Sequence, residues 1–195
     1  MTRQAGRLVF INGSSSAGKT TASRQLQLML GMDCLYLSMD KFLGMLSEQA
    51  CSLDQKCVNF LQPHAGLYAV QKDNGSFDIA AGPLGRKLLH EMYDVVQYFL
   101  DQGWQVIFDT VETEAVAVLA VQQKFSSYRA HYIYLYAHPA TLQQREWQRG
   151  NRLVGQTLNI LNRFDSQDLH TLQIDTTNLT PQAIAEQIFL EVARN

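Results

Sequence analysis

Short apolar runs alternate with longer amphipathic stretches along the whole chain. Leu8–Asn12, a short run of apolar and β-branched residues, predicts a buried strand, and Cys34–Ser38, Trp104–Asp109, His131–Ala137 and Leu172–Asp175 read as four more short strands. Helical patterns separate them. Lys19–Leu30 keeps Leu26, Met29 and Leu30 on one side, and Lys41–Gln49 follows the second strand. Pro83 opens a helix whose Leu84, Leu88, Met92, Val95, Val96 and Phe99 form a stripe, with Gly103 as the stop. A helix runs through Val116–Lys124, another opens at Pro139, and Thr180-Pro181 supplies a cap and first-turn proline for the last, which buries Ile184, Ile188 and Val192.

Strands alternating with helices imply an α/β fold, a parallel sheet covered on both faces. Cys51–Gly82 interrupts that rhythm. Inside it, Tyr68–Gln71 and Phe77–Ala80 flank Lys72-Asp73-Asn74-Gly75-Ser76, and Asn-Gly between two such runs predicts a hairpin.

Composition narrows the classes. The 195 residues suit one domain, and 46% apolar content suffices for a core. With 17% charged residues, a net charge of -2 and no dense Lys/Arg run, nucleic acid is not an expected partner. The chain has no apolar run of membrane-spanning length and no apolar leader near Met1–Gly6, which predicts a cytoplasmic protein without a membrane partner. Cys34, Cys51 and Cys57 lack metal-site spacing and are expected as free thiols.

One motif carries specific chemistry. Gly13-Ser14-Ser15-Ser16-Ala17-Gly18-Lys19-Thr20 matches GxxxxGK[ST] between a strand and a helix. Its glycines let backbone N–H groups approach phosphate oxygens, and the following helix presents its positive dipole end to the same anion. Lys19 adds charge for the outer phosphates, and the Thr20 hydroxyl suits Mg²⁺. The whole segment is expected to bind a nucleoside triphosphate.

Two acids close strands. Asp40, just beyond the second strand, suits a general base that takes a proton from an attacking hydroxyl, or else a helix N-cap. Asp109 ends Val106-Ile107-Phe108-Asp109, the pattern of a Walker B strand whose carboxylate orients Mg²⁺ or its waters, or else caps the next helix. Glu112 and Glu114 read as first-turn acids of that helix. Arg145, Arg149 and Arg152 follow the fourth strand and could clamp a triphosphate, or form a solvated basic face. The five histidines do not cluster by spacing and receive no role. His131-Tyr132-Ile133-Tyr134-Leu135-Tyr136 reads as a packed strand.

Taken in order, the motifs resemble the chloramphenicol phosphotransferase family of P-loop kinases. They are Asn12 through Thr20, Ser38-Met39-Asp40, Asp73-Asn74-Gly75 leading to Gly82-Pro83, and Ile107-Phe108-Asp109. Arg145-Glu146, Arg149-Gly150-Asn151-Arg152 and Ile174-Asp175-Thr176-Thr177 complete the set. The resemblance implies a single three-layer P-loop kinase domain over 1–195, with a five-stranded parallel sheet of order 2-3-1-4-5. It implies transfer of the ATP γ-phosphate, with Mg²⁺, to a small-molecule hydroxyl. The family's catalytic aspartate falls on Asp40, with Lys19 and Arg149 stabilising transferred charge. Its lid arginines fall on Arg145, Arg149 and Arg152 within a lid at 145–155, and Asp175-Thr176-Thr177 would lie near the nucleotide base. The 51–82 insert would help form the acceptor pocket. Where family members can carry two acids after the third strand, this chain has Asp109-Thr110. Other P-loop kinases of nucleotides, sugar nucleotides or shikimate-like metabolites share the architecture and differ in the insert, and a non-catalytic nucleotide-binding regulatory module would need the loop but not Asp40 or the arginines.

Overall fold

β1 (Arg7–Gly13) occupies the middle of the molecule, between β5 (Gln105–Asp109) and β6 (Arg129–Tyr136), parallel to both. The computed structural model describes residues 5–47, 50, 66–71, 73, 77–149, 157, 161 and 167–194. β2 (Cys34–Ser38) pairs with the far side of β5, and β7 (Leu172–Asp175) with the far side of β6. The sheet order is therefore β2-β5-β1-β6-β7. Counted among the parallel strands alone, this is the expected 2-3-1-4-5. The remaining strands, β3 (Leu67–Gln71) and β4 (Phe77–Ala81), form the expected antiparallel hairpin as a separate two-stranded sheet.

Side-chain alternation along the strands builds two cores. Val9 and Ile11 of β1 join Ile107, Ile133 and Leu135 against α1 (Lys19–Leu30) and the last helix, α6 (Pro181–Ala193). Leu8 and Phe10 face the other way, with Val106, Phe108 and Tyr132, against α3 (Pro83–Asp101) and α4 (Ala115–Lys124). Both faces of β1 are sealed, which is why it reads as an unbroken apolar run. Each fully buried Phe or Leu here contributes roughly 1.5–3 kcal/mol of transfer free energy.

Three local expectations shift. The α3 stripe holds in part: Met92 and Val96 are buried, joined by Leu100, while Leu84 and Val95 are exposed. Burial there follows the Met92–Val96–Leu100 i, i+4 row that meets the sheet. The helix expected at Lys41–Gln49 is instead α2 (Met39–Leu43), which begins where the Ser38 side chain accepts a hydrogen bond from the Lys41 N–H and ends at Gly44. Glu112 and Glu114 lie before the first turn of α4, with Glu114 at its N-cap position. α5 opens at Pro139 and runs to Arg149. Among the described residues no helix is long and apolar enough to cross a membrane.

Candidate functional site

β1 delivers the chain to a turn that only glycine can enter. Gly13 has φ 144°, and a Cβ placed there would sit 2.1 Å from the Leu135 carbonyl of β6. The turn then passes through Ser16 at φ 64° and Gly18 at φ 90°, both left-handed, before α1 begins at Lys19. This alternation points successive N–H groups into one concavity, the geometry that holds phosphate. Ser14 and Ser16 are buried, and among the described residues their hydroxyl oxygens have no hydrogen-bond partner. Buried hydroxyls of this kind cost free energy unless a ligand or water satisfies them. Lys19 is itself buried, and its ammonium donates to the Gly13 and Ser14 carbonyls, 2.8 Å each. The donors and charge of Gly13–Thr20 therefore fit an oligophosphate.

Strand ends bring the acids to the same place. Asp109 closes β5, opposite Ser38 of β2, and is buried. Its Oδ2 accepts from Thr20 Oγ1 at 3.2 Å and from Tyr36 Oη at 2.6 Å. Asp109 does not cap the helix that follows, because α4 has Glu114 at its N-cap position. Asp40 is the second residue of α2, whose cap is Ser38, so the N-cap alternative for Asp40 falls away too. Lys19, Thr20, Asp40 and Asp109 line one cavity together with Ser15 and Ser16. Mg²⁺ prefers oxygen ligands and keeps several of its waters. A hydroxyl and a carboxylate 3.2 Å apart beside a phosphate loop match that preference.

Behind the cavity lies a network that local sequence reading missed. Asn12 Oδ1 accepts from the Gly13 and Glu112 N–H groups at 2.9 and 2.8 Å, and its Nδ2 donates to the Glu112 carbonyl at 2.8 Å. The same Nδ2 lies 3.3 Å from Nε2 of the buried His170. Asn12 thus fastens the loop after β5 to the start of the phosphate loop. The Glu112 carboxyl accepts a hydrogen bond from the Tyr93 hydroxyl. Burial pushes the Glu112 carboxyl above its ordinary range, with Tyr93 partly opposing the shift. Burial first, and then the Glu112 charge, hold the Tyr93 phenol well above its own.

Arg145 of α5 reaches the phosphate loop. Its guanidinium donates to the Thr176 carbonyl at 2.8 Å and to Thr176 Oγ1 at 3.2 Å, with a longer contact to the Ser16 carbonyl at 3.4 Å. Thr176 Oγ1 donates in turn to the Ala17 carbonyl at 3.0 Å. Arg145 thereby joins α5, the phosphate loop and the segment after β7, and it is not part of a solvated basic face. Asp175 accepts from the Thr177 N–H and hydroxyl, which hold its carboxyl below the usual range. Arg149 is the last residue of α5. Gly150, Asn151 and Arg152 lie outside the described residues, as do Cys51, Cys57 and most of the 51–82 insert. Cys34 is a buried free thiol, pushed up to about 11 mainly by desolvation.

A family model described as chloramphenicol phosphotransferase-like protein matches residues 6–193. The chain belongs to the chloramphenicol phosphotransferase-like family. It is similar to two Mycobacterium tuberculosis proteins, from strains CDC 1551 and H37Rv, each named "Putative O-phosphotransferase". Identity to each is 23% over 184 residues, 94% of this chain and 80% of theirs. Among solved structures, it is similar to the shikimate kinase of Acinetobacter baumannii in complex with shikimate. There the TM-score is 0.61 at 17% identity, covering 99% of this chain and 96% of that one. It is also similar to the Mycobacterium tuberculosis APS kinase in complex with AMPPNP and APS, with TM-score 0.64, 10% identity and coverage of 98% and 99%. Family and fold together make the protein a kinase-type phosphotransferase with a P-loop nucleotide site.

In this chloramphenicol phosphotransferase-like chain, the structure brings together Gly13–Thr20, Asp40, Asp109 and Arg145 from four separate stretches of sequence. Tyr36 and His170 join them without having been assigned a role, as do Asn12, which entered only as part of the family motif, and Glu112, which was read as a first-turn acid. For Tyr36 a signal existed: the order 2-3-1-4-5 makes the second and third parallel strands neighbours, so a tyrosine two residues before the end of one faces the acid ending the other. The Tyr132–Tyr136 stretch is the expected packed strand, with Tyr132 and Tyr134 buried.

Proposed function

We propose that the protein is an ATP- and Mg²⁺-dependent O-phosphotransferase that moves the γ-phosphate onto a hydroxyl of a small molecule. The observation that carries the reading is the convergence of Lys19, Thr20, Asp40 and Asp109 on one cavity. A phosphate grip, a hard-cation pair and a carboxylate facing the same space are what in-line phosphoryl transfer needs from a protein. The relatives support the acceptor class: one fold neighbour is a shikimate kinase solved with shikimate, another an APS kinase solved with AMPPNP and APS.

ATP would supply the phosphoryl group, and Mg²⁺ would offset charge on its outer oxygens. The chain's own contributions follow from chemistry and position. Gly13–Gly18 present backbone N–H groups, and the Ser14 and Ser16 hydroxyls gain partners they lack among the described residues. Lys19, tethered at the loop mouth, places a positive charge where negative charge develops. Thr20 and Asp109 hold the cation. Asp40 accepts the proton of the acceptor hydroxyl, which turns it into a stronger nucleophile. Arg145 braces the loop, and Arg149 and Arg152 complete the charge clamp from the 145–155 lid. The 51–82 insert contributes to the acceptor pocket.

Asp40→Asn tests the assignment. It should lower turnover by about two to four orders of magnitude, the usual contribution of a general base, while calorimetric ATP affinity stays within a fewfold of the parent. Near-parental turnover would remove Asp40 from the role of base.

A further inference from the structure

Asp109 does not hold its own orientation. Its carboxylate ends a strand at the rim of the cavity, where an unsupported side chain would sample several rotamers. Two hydroxyls converge on its Oδ2, and they are unequal. Thr20 Oγ1 stands at 3.2 Å, a long bond, whereas Tyr36 Oη stands at 2.6 Å, in the short range of a hydroxyl donating to a charged oxygen.

Tyr36 is in turn held rigidly. It lies on β2 with Cys34 and Ser38 on one face, and it is buried. The Arg24 guanidinium lies over its ring, 4.6 Å from the centroid, and the Lys41 ammonium at 4.2 Å. The Lys41 ammonium also donates to the Tyr36 backbone carbonyl at 3.1 Å. An ordinary phenol keeps its proton throughout the physiological range, so the hydroxyl is a permanent donor toward Asp109.

We propose that Tyr36 is a positioning residue for the cation site, locking the Asp109 carboxylate in its metal-facing orientation so that Thr20 is released to turn its hydroxyl oxygen to Mg²⁺. The inference rests on the assignment of Thr20 and Asp109 to the cation. Of the two donors to Oδ2, only Thr20 is also a candidate ligand, and a ligand hydroxyl directs its lone pair toward the metal. Asp109 must then keep its place without the Thr20 bond. Tyr36 supplies the bond that persists, as outer hydrogen-bond partners do for metal-ligating side chains in general.

Tyr36→Phe removes one oxygen and keeps the ring, its packing and both cation contacts. Binding of a fluorescent ATP analogue is titrated with Mg²⁺, and separately in EDTA, for the parent, Tyr36→Phe and Asp109→Asn. For Tyr36→Phe, the Mg²⁺ concentration that half-tightens nucleotide binding should rise about tenfold, with affinity in EDTA unchanged. An unshifted Mg²⁺ midpoint, or an equal loss of affinity in EDTA, overturns the role of Tyr36. If Asp109→Asn shifts the midpoint and Tyr36→Phe does not, the positioning inference alone fails. If neither the parent nor any variant responds to Mg²⁺, the assignment of the cation site fails with it.

Discussion

Replacing Arg145 by alanine separates two accounts of the arginine segment. If Arg145 only clamps bound nucleotide, the ligand-free protein loses nothing. In the structure it is already engaged, through bonds of 2.8 and 3.2 Å to Thr176 and a longer contact to Ser16. A hydrogen bond to a charged group contributes about 1.5–3 kcal/mol, and Arg145 is only half-buried, which argues for the lower end of that range. Two good bonds then give about 3 kcal/mol, or a fall in Tm of about 6–12 °C for a chain of this size. The assay is thermal unfolding without nucleotide, followed by circular dichroism. Arg145→Lys should recover less than half of the loss, because an ammonium cannot reproduce the two-pronged donation to Thr176. ATP affinity should fall alongside Tm, since the Ser16 and Ala17 carbonyls lose part of their support. A ligand-free Tm within about 1 °C of the parent would refute the brace.

Two further substitutions probe the frame of the site. Gly13→Ala puts a methyl carbon against the Leu135 carbonyl at 2.1 Å on a backbone of φ 144°, and should cost about 3 kcal/mol or more in urea unfolding; a loss below about 1 kcal/mol would contradict the close β1–β6 approach. Glu112→Gln tests the buried carboxyl. Its folded pKa is raised above the ordinary 4.5, so between the two values the native state binds more protons than the unfolded one, and stability falls as pH rises through that window. The variant cannot titrate, so its Tm relative to the parent should rise as pH increases above the ordinary 4.5; a difference that stays flat with pH would show that Glu112 is not desolvated.

Why some of this was legible in the sequence and some was not follows from the range of each interaction. The phosphate loop is contiguous, and its neighbours announce themselves because central parallel strands are apolar throughout. Asp40 and Asp109 are visible because acids closing such strands face the cavity edge. Glu112 misled because its position before a helix suggests a first-turn acid. Its fate is set instead by Tyr93 and by Asn12, which is 100 residues away along the chain. Arg145 was read as one of three arginines that could clamp a triphosphate, and its bonds to Thr176, 31 residues on, were beyond local sequence reading. The α3 stripe was read too wide because its apolar residues cover more than one face, and packing on the sheet selects Met92 and Val96 from among them.

The central claim is transfer of phosphate to a small-molecule hydroxyl, and the most direct measurement is mass spectrometry. A mixture of hydroxylated metabolites and antibiotics is incubated with Mg-ATP and either the parent protein or Asp40→Asn. The account predicts at least one compound that gains a single phosphoryl group with the parent and gains almost none with the variant. Tight binding of ATP with no phosphorylated compound formed would contradict it, and would leave a nucleotide-binding module in place of a kinase.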